Sequence, residues 1–301
     1  MNTQLFTLAI LDGVSYAALL FLVALGLTLI FGVMRILNIA HGSLYAVGGY
    51  TAATFGMAIA KYGLPPWLSL PALFVAAIAV GVVVGTAMEV GLLRRILDKD
   101  PILQLLVTFA AFMIIEDLQR LVWGVQPYFV SDVVSQLGTA SVAGITYTRY
   151  QLIVLPLVAL SAFFVLRWFL SSTALGRQIT AVTHHREVAT AMGVNAKRVS
   201  LLTFVIGAAL GALGGALASP TTSLVPGIGA EMIVLSFAVV ATAGLGQIGG
   251  AMIAALMIGL ARSFAVYLAP ELEVLAPYFI MVVVLLVRPQ GLFASAEARR
   301  I

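Results

Sequence analysis

The strongest constraint on this chain is a recurrence of apolar runs, each about as long as a bilayer is thick. They lie near 7–33, 38–60, 70–93, 102–123, 151–170, 201–219 and 274–287, with a longer one over 231–268. A hydrocarbon core about 30 Å thick takes roughly 20 helical residues to cross. Composition agrees: 62% of the 301 residues are hydrophobic and only 9% are charged, against about a quarter charged in a soluble domain. In water so much apolar surface would aggregate. The expectation is an all-α, polytopic helical membrane protein forming one transmembrane domain over 1–301, with eight or nine transmembrane helices. Eight follows if 231–268 is one bent or re-entrant unit, nine if it crosses twice.

The net charge of +4 is small, and the basic residues are scattered between apolar runs, so no nucleic acid is expected as a partner. The absence of cysteine excludes disulfides, cysteine-held metals and thiol nucleophiles. The opening MNTQLFTLAILDG has no Lys or Arg before Arg35, unlike the basic leader of a cleaved signal, and reads as a retained span.

Lys and Arg in short loops set orientation. With nine crossings and the N-terminus outside, the inside positions hold Arg35, Arg94, Arg95, Lys99, Arg167, Arg177, Arg186, Lys197, Arg198, Arg288, Arg299 and Arg300. The outside positions hold only Lys61, Arg120, Arg149 and Arg262. Eight crossings would carry the basic tail outside, so the asymmetry favours nine. Residues 124–150 then form an external loop, and 171–200 the longest internal one. Within the latter, Arg186 to Met192 can form a short helix stopped by Gly193 in the left-handed conformation. Ala189 and Met192, three apart, would share its apolar face. So short a helix needs another surface to hold it.

Gly207, Gly211 and Gly215 make a smooth stripe along one span, and Gly81 and Gly85 do so along another. Such stripes let helices approach closely. Gly244-Leu245-Gly246-Gln247-Ile248-Gly249 spells G-x-G-x-x-G. A dinucleotide site needs a strand before it, a helix after it and an acid about 20 residues on. Apolar helix flanks both sides here, and no Asp or Glu lies between Glu231 and Glu271, so that reading fails. Two others remain open: a helix break beside a transport path, or a plain turn between spans. Gly244, Gly246 and Gln247 are the residues at issue. A second interruption, Asn38-Ile39-Ala40-His41-Gly42-Ser43, puts polar groups at the start of the second span. Such groups usually face a bundle interior or a water-filled cavity. His41 could serve a pathway or gate, or bond a neighbouring carbonyl near the interface.

The other ionisable groups have local explanations. Glu116 and Asp117 fall i,i+4 and i,i+3 from Arg120, Glu89 lies near the inner end of its span, and Arg262 could snorkel outward. No P-loop and no H-E-x-x-H is present.

Four segments in register resemble the branched-chain amino acid ABC transporter permeases, the LivH/LivM type, and lean to LivH. They are GLTLIFGVMRILNIAHGSLYAVGGY (26–50), GRQITAVTHHREVATAMGVNAKRV (176–199), AGLGQIGGAMIAALMIGL (243–260) and RPQGLF (288–293). The resemblance implies a non-enzymatic permease subunit of an ATP-binding-cassette importer in a bacterial inner membrane. Its cargo would be branched-chain or related hydrophobic amino acids, or similar small polar solutes. The implied partners are a second permease (LivM-like or another copy), two ATPase subunits that bind ATP and Mg, a periplasmic substrate-binding protein and membrane lipid. This chain itself would carry no cofactor. The loop 171–200 would be the coupling loop, with Arg186, Glu187, Ala189, Met192, Gly193 and Asn195 meeting the ATPase. Asn38, His41, Ser43, Gly244, Gly246 and Gln247 would serve the pathway or gate. The chain departs from the family in two places. Ser43 stands where an acid is common, which bears on substrate choice. His184-His185 replaces a polar or acidic pair, which bears on helix capping and on which ATPase docks. The rival expectations are an ion-coupled secondary transporter, disfavoured by the scarcity of buried acids, and a membrane-embedded enzyme.

Overall fold

The computed structural model describes residues 3–293; Arg299 and Arg300 of the basic tail lie outside them. The first helix, α1 (Thr3–Met34), carries no basic residue and is almost wholly enclosed by the rest of the chain. It stops at Arg35, which takes a left-handed φ of 56°. After a non-helical stretch come α2 (His41–Lys61), α3 (Pro66–Ile96) and α4 (Pro101–Trp123). Asp100 starts α4 by accepting from the Ile102 N–H at 2.8 Å, and Gly124 at φ 80° ends it.

The segment expected as a plain external loop holds a short helix, α5 (Asp132–Leu137), and a β-hairpin of β1 (Thr139–Val142) and β2 (Ile145–Thr148). The pair is antiparallel, with Thr139 opposite Thr148 and Val142 opposite Ile145. Then α6 (Tyr150–Ser172) leads to α7 (Ala174–His184) and α8 (Arg186–Ala191). The rest is α9 (Ala196–Ala218), α10 (Ile228–Ala243), α11 (Ile248–Leu268) and α12 (Leu275–Val287).

By length and composition six helices can cross a membrane: α1, α3, α4, α6, α9 and α11. With α2 and the two shorter apolar helices α10 and α12, nine helices run between two ends among the described residues. The region 231–268 is a hairpin of α10 and α11. At one end the turn 244–247 packs on Gly32 and on Gly291. At the other, Arg262 of α11 bonds Glu231 of α10 at 3.2 Å. The first end also gathers Arg35, Arg177 and His184 and is called the basic end below. At the far end Tyr128 and Leu224 exchange backbone hydrogen bonds of 3.0 and 2.8 Å.

Two charges have partners that residue spacing does not reveal. Arg262 bonds Glu231 and, at 2.8 Å, Glu273, and stacks 4.2 Å over the Tyr16 ring. Glu89 is buried, in a π-helical turn of α3, and bonded to Arg94 at 2.7 Å. Arg120 bonds Glu116 at 2.5 Å and Asp117 at 3.4 Å, as the spacing predicts.

The core is built on α1 and α9: α1 packs along α11 through Gly13 and Gly259, and α9 gathers α1, α2 and α3 into one seam. The glycine stripe of α9 is its axis. Gly207 meets Gly26 and Ile30 of α1, Gly211 meets the His41 ring, and Gly215 meets the Tyr45 carbonyl of α2. Gly81 and Gly85 bring α3 onto Ala209 and Ala208 from the other side. Apolar surface gains little by moving from lipid into protein, so close van der Waals contact between small residues carries much of the association. We predict that Gly215→Val, whose Cβ would overlap the Tyr45 carbonyl, lowers the thermal midpoint of detergent-purified protein by an overpacking cost of about 1–3 kcal/mol. Gly91→Ala, with open space beyond its Cβ, is expected to leave it unchanged.

Candidate functional site

Three places could carry function: a polar joint deep in the bundle, the glycine turn at the basic end, and the α7–α8 surface. The joint follows from the early end of α1. Residues 35–40 are not helical, yet Ile36, Asn38 and Ala40 are buried. The chain runs back into the bundle, and α2 begins beside Gly26 and Gly211, roughly two turns in from the end of α1. Irregular backbone at this depth is tolerated only when enclosed by protein or beside water. Thr108 of α4 satisfies part of it. Its hydroxyl accepts from the Ile39 N–H at 3.4 Å, and its single proton faces two carbonyls, Leu105 of its own helix at 3.0 Å and Leu37 at 3.3 Å.

His41 is the first residue of α2 and is fully buried. Its Nε2 lies 3.1 Å from the Val23 carbonyl. A carbonyl can only accept, so Nε2 carries the proton and donates, while Nδ1 has no partner. His41 thus bonds a neighbouring carbonyl, but in the bundle interior rather than at the interface. Asn38 is also fully buried, and neither of its side-chain polar atoms has a partner among the described residues, as is true of His41 Nδ1. The buried Ser43 donates to the Phe112 carbonyl of α4 at 3.5 Å. On its far side Gly42 touches the backbone of Gly229 in α10. Two helices, α2 and α10, therefore begin against each other inside the bundle.

Gly244, Gly246 and Gln247 are not part of this joint. They form the tight turn between α10 and α11, with Gly244 at φ 102° and Gly246 at φ 82°. The break is thus a turn between α10 and α11 at the basic end. The tail straps it: the Leu292 and Phe293 N–H groups donate to the Thr242 and Ala243 carbonyls at 2.9 and 3.0 Å. That satisfies acceptors left over at the end of α10. The turn separates two cavities. The larger, about 610 Å³, is lined by Arg35, Thr183, His184, Gln247 and Gln290, among others.

The α7–α8 surface explains the expected short helix. Gly193 at φ 88° stops α8. The Gly193 N–H donates to Thr190 and the Val194 N–H to Ala189, each at 3.0 Å, which is the Schellman pattern. Ala189 and Met192 do not share a face: Ala189 is buried, whereas Met192 is 81% exposed and Val188 61% exposed. A four-residue step carries Val188 onto Met192 on the outward side, and Ala189 anchors the opposite one. Glu187 is exposed and Arg186 half-buried. Asn195 has a structural task, accepting from the Arg198 N–H at 3.1 Å to cap α9. His185 sits at the N-cap of α8 without a side-chain capping bond.

Two contributors escape a reading of the sequence. The segment of α7 reads as loop, although Thr173 caps the helix by accepting from the Gly176 N–H at 2.9 Å and Gly176, Ile179 and Val182 form its buried face. That three-residue spacing is a usable signal. Thr108 leaves none, being one hydroxyl in an apolar run.

A family model described as "Branched-chain amino acid transport system / permease component" matches residues 9–285. The high-affinity branched-chain amino acid transport system permease protein LivH of Escherichia coli (strain K12) is 27% identical over 296 residues, 96% of each chain. The corresponding permease protein BraD of Pseudomonas aeruginosa is 26% identical over 301 residues, 97% of each chain. The probable branched-chain amino acid transport permease protein LivH of Methanocaldococcus jannaschii is 29% identical over 267 residues, 86% of this chain and 81% of that one.

The joint generates a prediction. Thr108→Val leaves the Ile39 N–H without its acceptor and removes the hydroxyl beside the Leu37 carbonyl, a loss of about 1–3 kcal/mol. The expected result is a lower thermal midpoint that Thr108→Ser largely restores.

Proposed function

The chain belongs to the branched-chain amino acid transport permease family, and from that premise we propose how it works within a transporter. It is a multi-pass permease subunit of an ATP-binding-cassette importer, not an enzyme. Its place is the bacterial inner membrane, with the basic end in the cytoplasm. The cargo is a branched-chain or related hydrophobic amino acid, and residues 1–301 act as one permease domain. A second permease, LivM-like or another copy, completes the pathway. Two ATPase subunits hold ATP and Mg, and a periplasmic binding protein delivers cargo at the far end.

The observation that carries this reading is α8. An apolar pair, Val188 and Met192, stands exposed at the basic end on a helix held at a fixed angle by Ala189 and the Gly193 stop. A six-residue helix is marginal alone, and an ATPase groove would cover those side chains. Arg186 and Glu187 supply charges at the rim of that contact, and Asn195 fixes where α9 begins. Closure of the ATPase pair would push on α8. α7 would pass the movement to α1 and α9, against which it packs, and so to the joint at Asn38, His41 and Ser43. That joint, where α2 and α10 meet, is the proposed gate. The strapped turn at Gly244, Gly246 and Gln247 would move with it as a unit. ATP would drive transport by stabilising one arrangement over the other.

The test is co-purification of the chain with its ATPase subunits. Met192→Asp is expected to reduce their recovery at least several-fold while membrane insertion is unchanged. Gly193→Ala forces a side chain into left-handed backbone at a cost of about 1–2 kcal/mol, and is expected to weaken recovery and ATP-dependent uptake together. Full recovery and uptake in both variants would contradict the assignment of α8.

A further inference from the structure

The second cavity beside the strapped turn, about 540 Å³, opens between α6, α7 and the start of α11. Its side chains are ordered along the α6 axis. Phe163 lines the deep part, roughly 12 Å below Ser171 along α6 at 1.5 Å per residue. Leu170 and Arg167 lie higher, and Arg177 and Thr180 of α7 complete the rim. Apolar surface thus gives way to guanidinium and hydroxyl groups towards the basic end.

The neighbourhood points outward into the bilayer. Phe164, Val165 and Trp168 on α6 are each more than 60% exposed. Both α6 and α11 pack on α1, but no packed seam joins them to each other, so the cavity continues as a groove. Among the described residues no carboxylate lies within 4.0 Å of Arg167 or Arg177. Arg177 spends one N–H on the Ser172 carbonyl at 3.0 Å, and its remaining donors are uncommitted.

We infer that this groove binds an anionic phospholipid of the leaflet at the basic end. Its phosphate lies between Arg167 and Arg177, and one acyl chain runs past Phe163. A phosphate oxygen accepts charge-assisted bonds from a guanidinium fork, and basic pockets between helices on the cytoplasmic side attract such headgroups. A soluble phosphate would satisfy the arginines but would leave the apolar floor uncovered. The consequence is mechanical. Arg167 belongs to α6 and Arg177 to α7, so one headgroup ties the helix leading to α8 onto the membrane-spanning part.

The full chain in detergent, studied by native mass spectrometry, tests this. Phosphatidylglycerol and phosphatidylcholine with the same acyl chains are compared, with inorganic phosphate as competitor. The wild type is expected to retain phosphatidylglycerol in preference by on the order of tenfold or more, unaffected by millimolar phosphate. Arg167→Gln with Arg177→Gln should abolish the preference. Lys197→Gln with Arg198→Gln, which removes equal charge nearby, should not. Equal retention of the two lipids, a preference that survives the first pair or is lost equally with the second, or displacement by phosphate would each overturn the inference. The lipid comparison and the phosphate arm use the wild-type chain, so the outcome does not depend on either substituted protein folding.

Discussion

Every backbone polar group inside a bilayer needs a partner, and this bundle departs from continuous helix at just the point where that rule is hardest to meet. Residues 35–40 return into the interior as irregular chain. They can do so because α1, α2 and α9 close around them through glycine contacts with little room between backbones. Thr108 supplies hydrogen bonds that a helix would have made internally. Without the stripe of Gly207, Gly211 and Gly215, α9 could not approach near enough to enclose His41 and the start of α2. The seam and the irregular joint therefore depend on each other.

The same logic separates what is rigid from what has room to move. The seam is tightly packed. Asn38, in contrast, has no partner for either polar atom among the described residues, and neither has His41 Nδ1. A buried polar group in that condition is costly in lipid-like surroundings. A second arrangement that brought these atoms to water or cargo would recover part of that cost. At the basic end the tail, the α10–α11 turn and α7 share the walls of two cavities, so displacement of α7 need not break the seam.

Much of the fold is legible in the sequence because lipid imposes a simple rule on length. The spans near 102–123, 151–170 and 201–219 agree with α4, α6 and α9 to within a few residues. The Lys and Arg asymmetry favours two crossings for 231–268, and the structure has two antiparallel helices there, α10 and α11. The short helix stopped by Gly193 is legible because only a left-handed cap suits that glycine. The burial of its faces is not, since Ala189 and Met192 lie close enough in angle to suggest one side while the neighbouring helices decide which of them is covered. The partners of Arg262 are not legible because Glu273 stands beyond the end of its helix and Glu231 on another. The depth of His41 is hidden for a related reason. Residue spacing does not reveal that the chain turns back before α2 begins.

On the proposed function, this chain would be the membrane half of a transporter whose ATP is split by separate subunits. Uptake of a radiolabelled branched-chain amino acid into proteoliposomes holding the chain, its permease partner and the ATPase subunits tests that most directly, with binding protein supplied on the far side. Accumulation that requires ATP on the basic side and persists when ion gradients are collapsed is the expected result. Accumulation driven by an ion gradient through the permease alone, without ATP or the ATPase subunits, would contradict it.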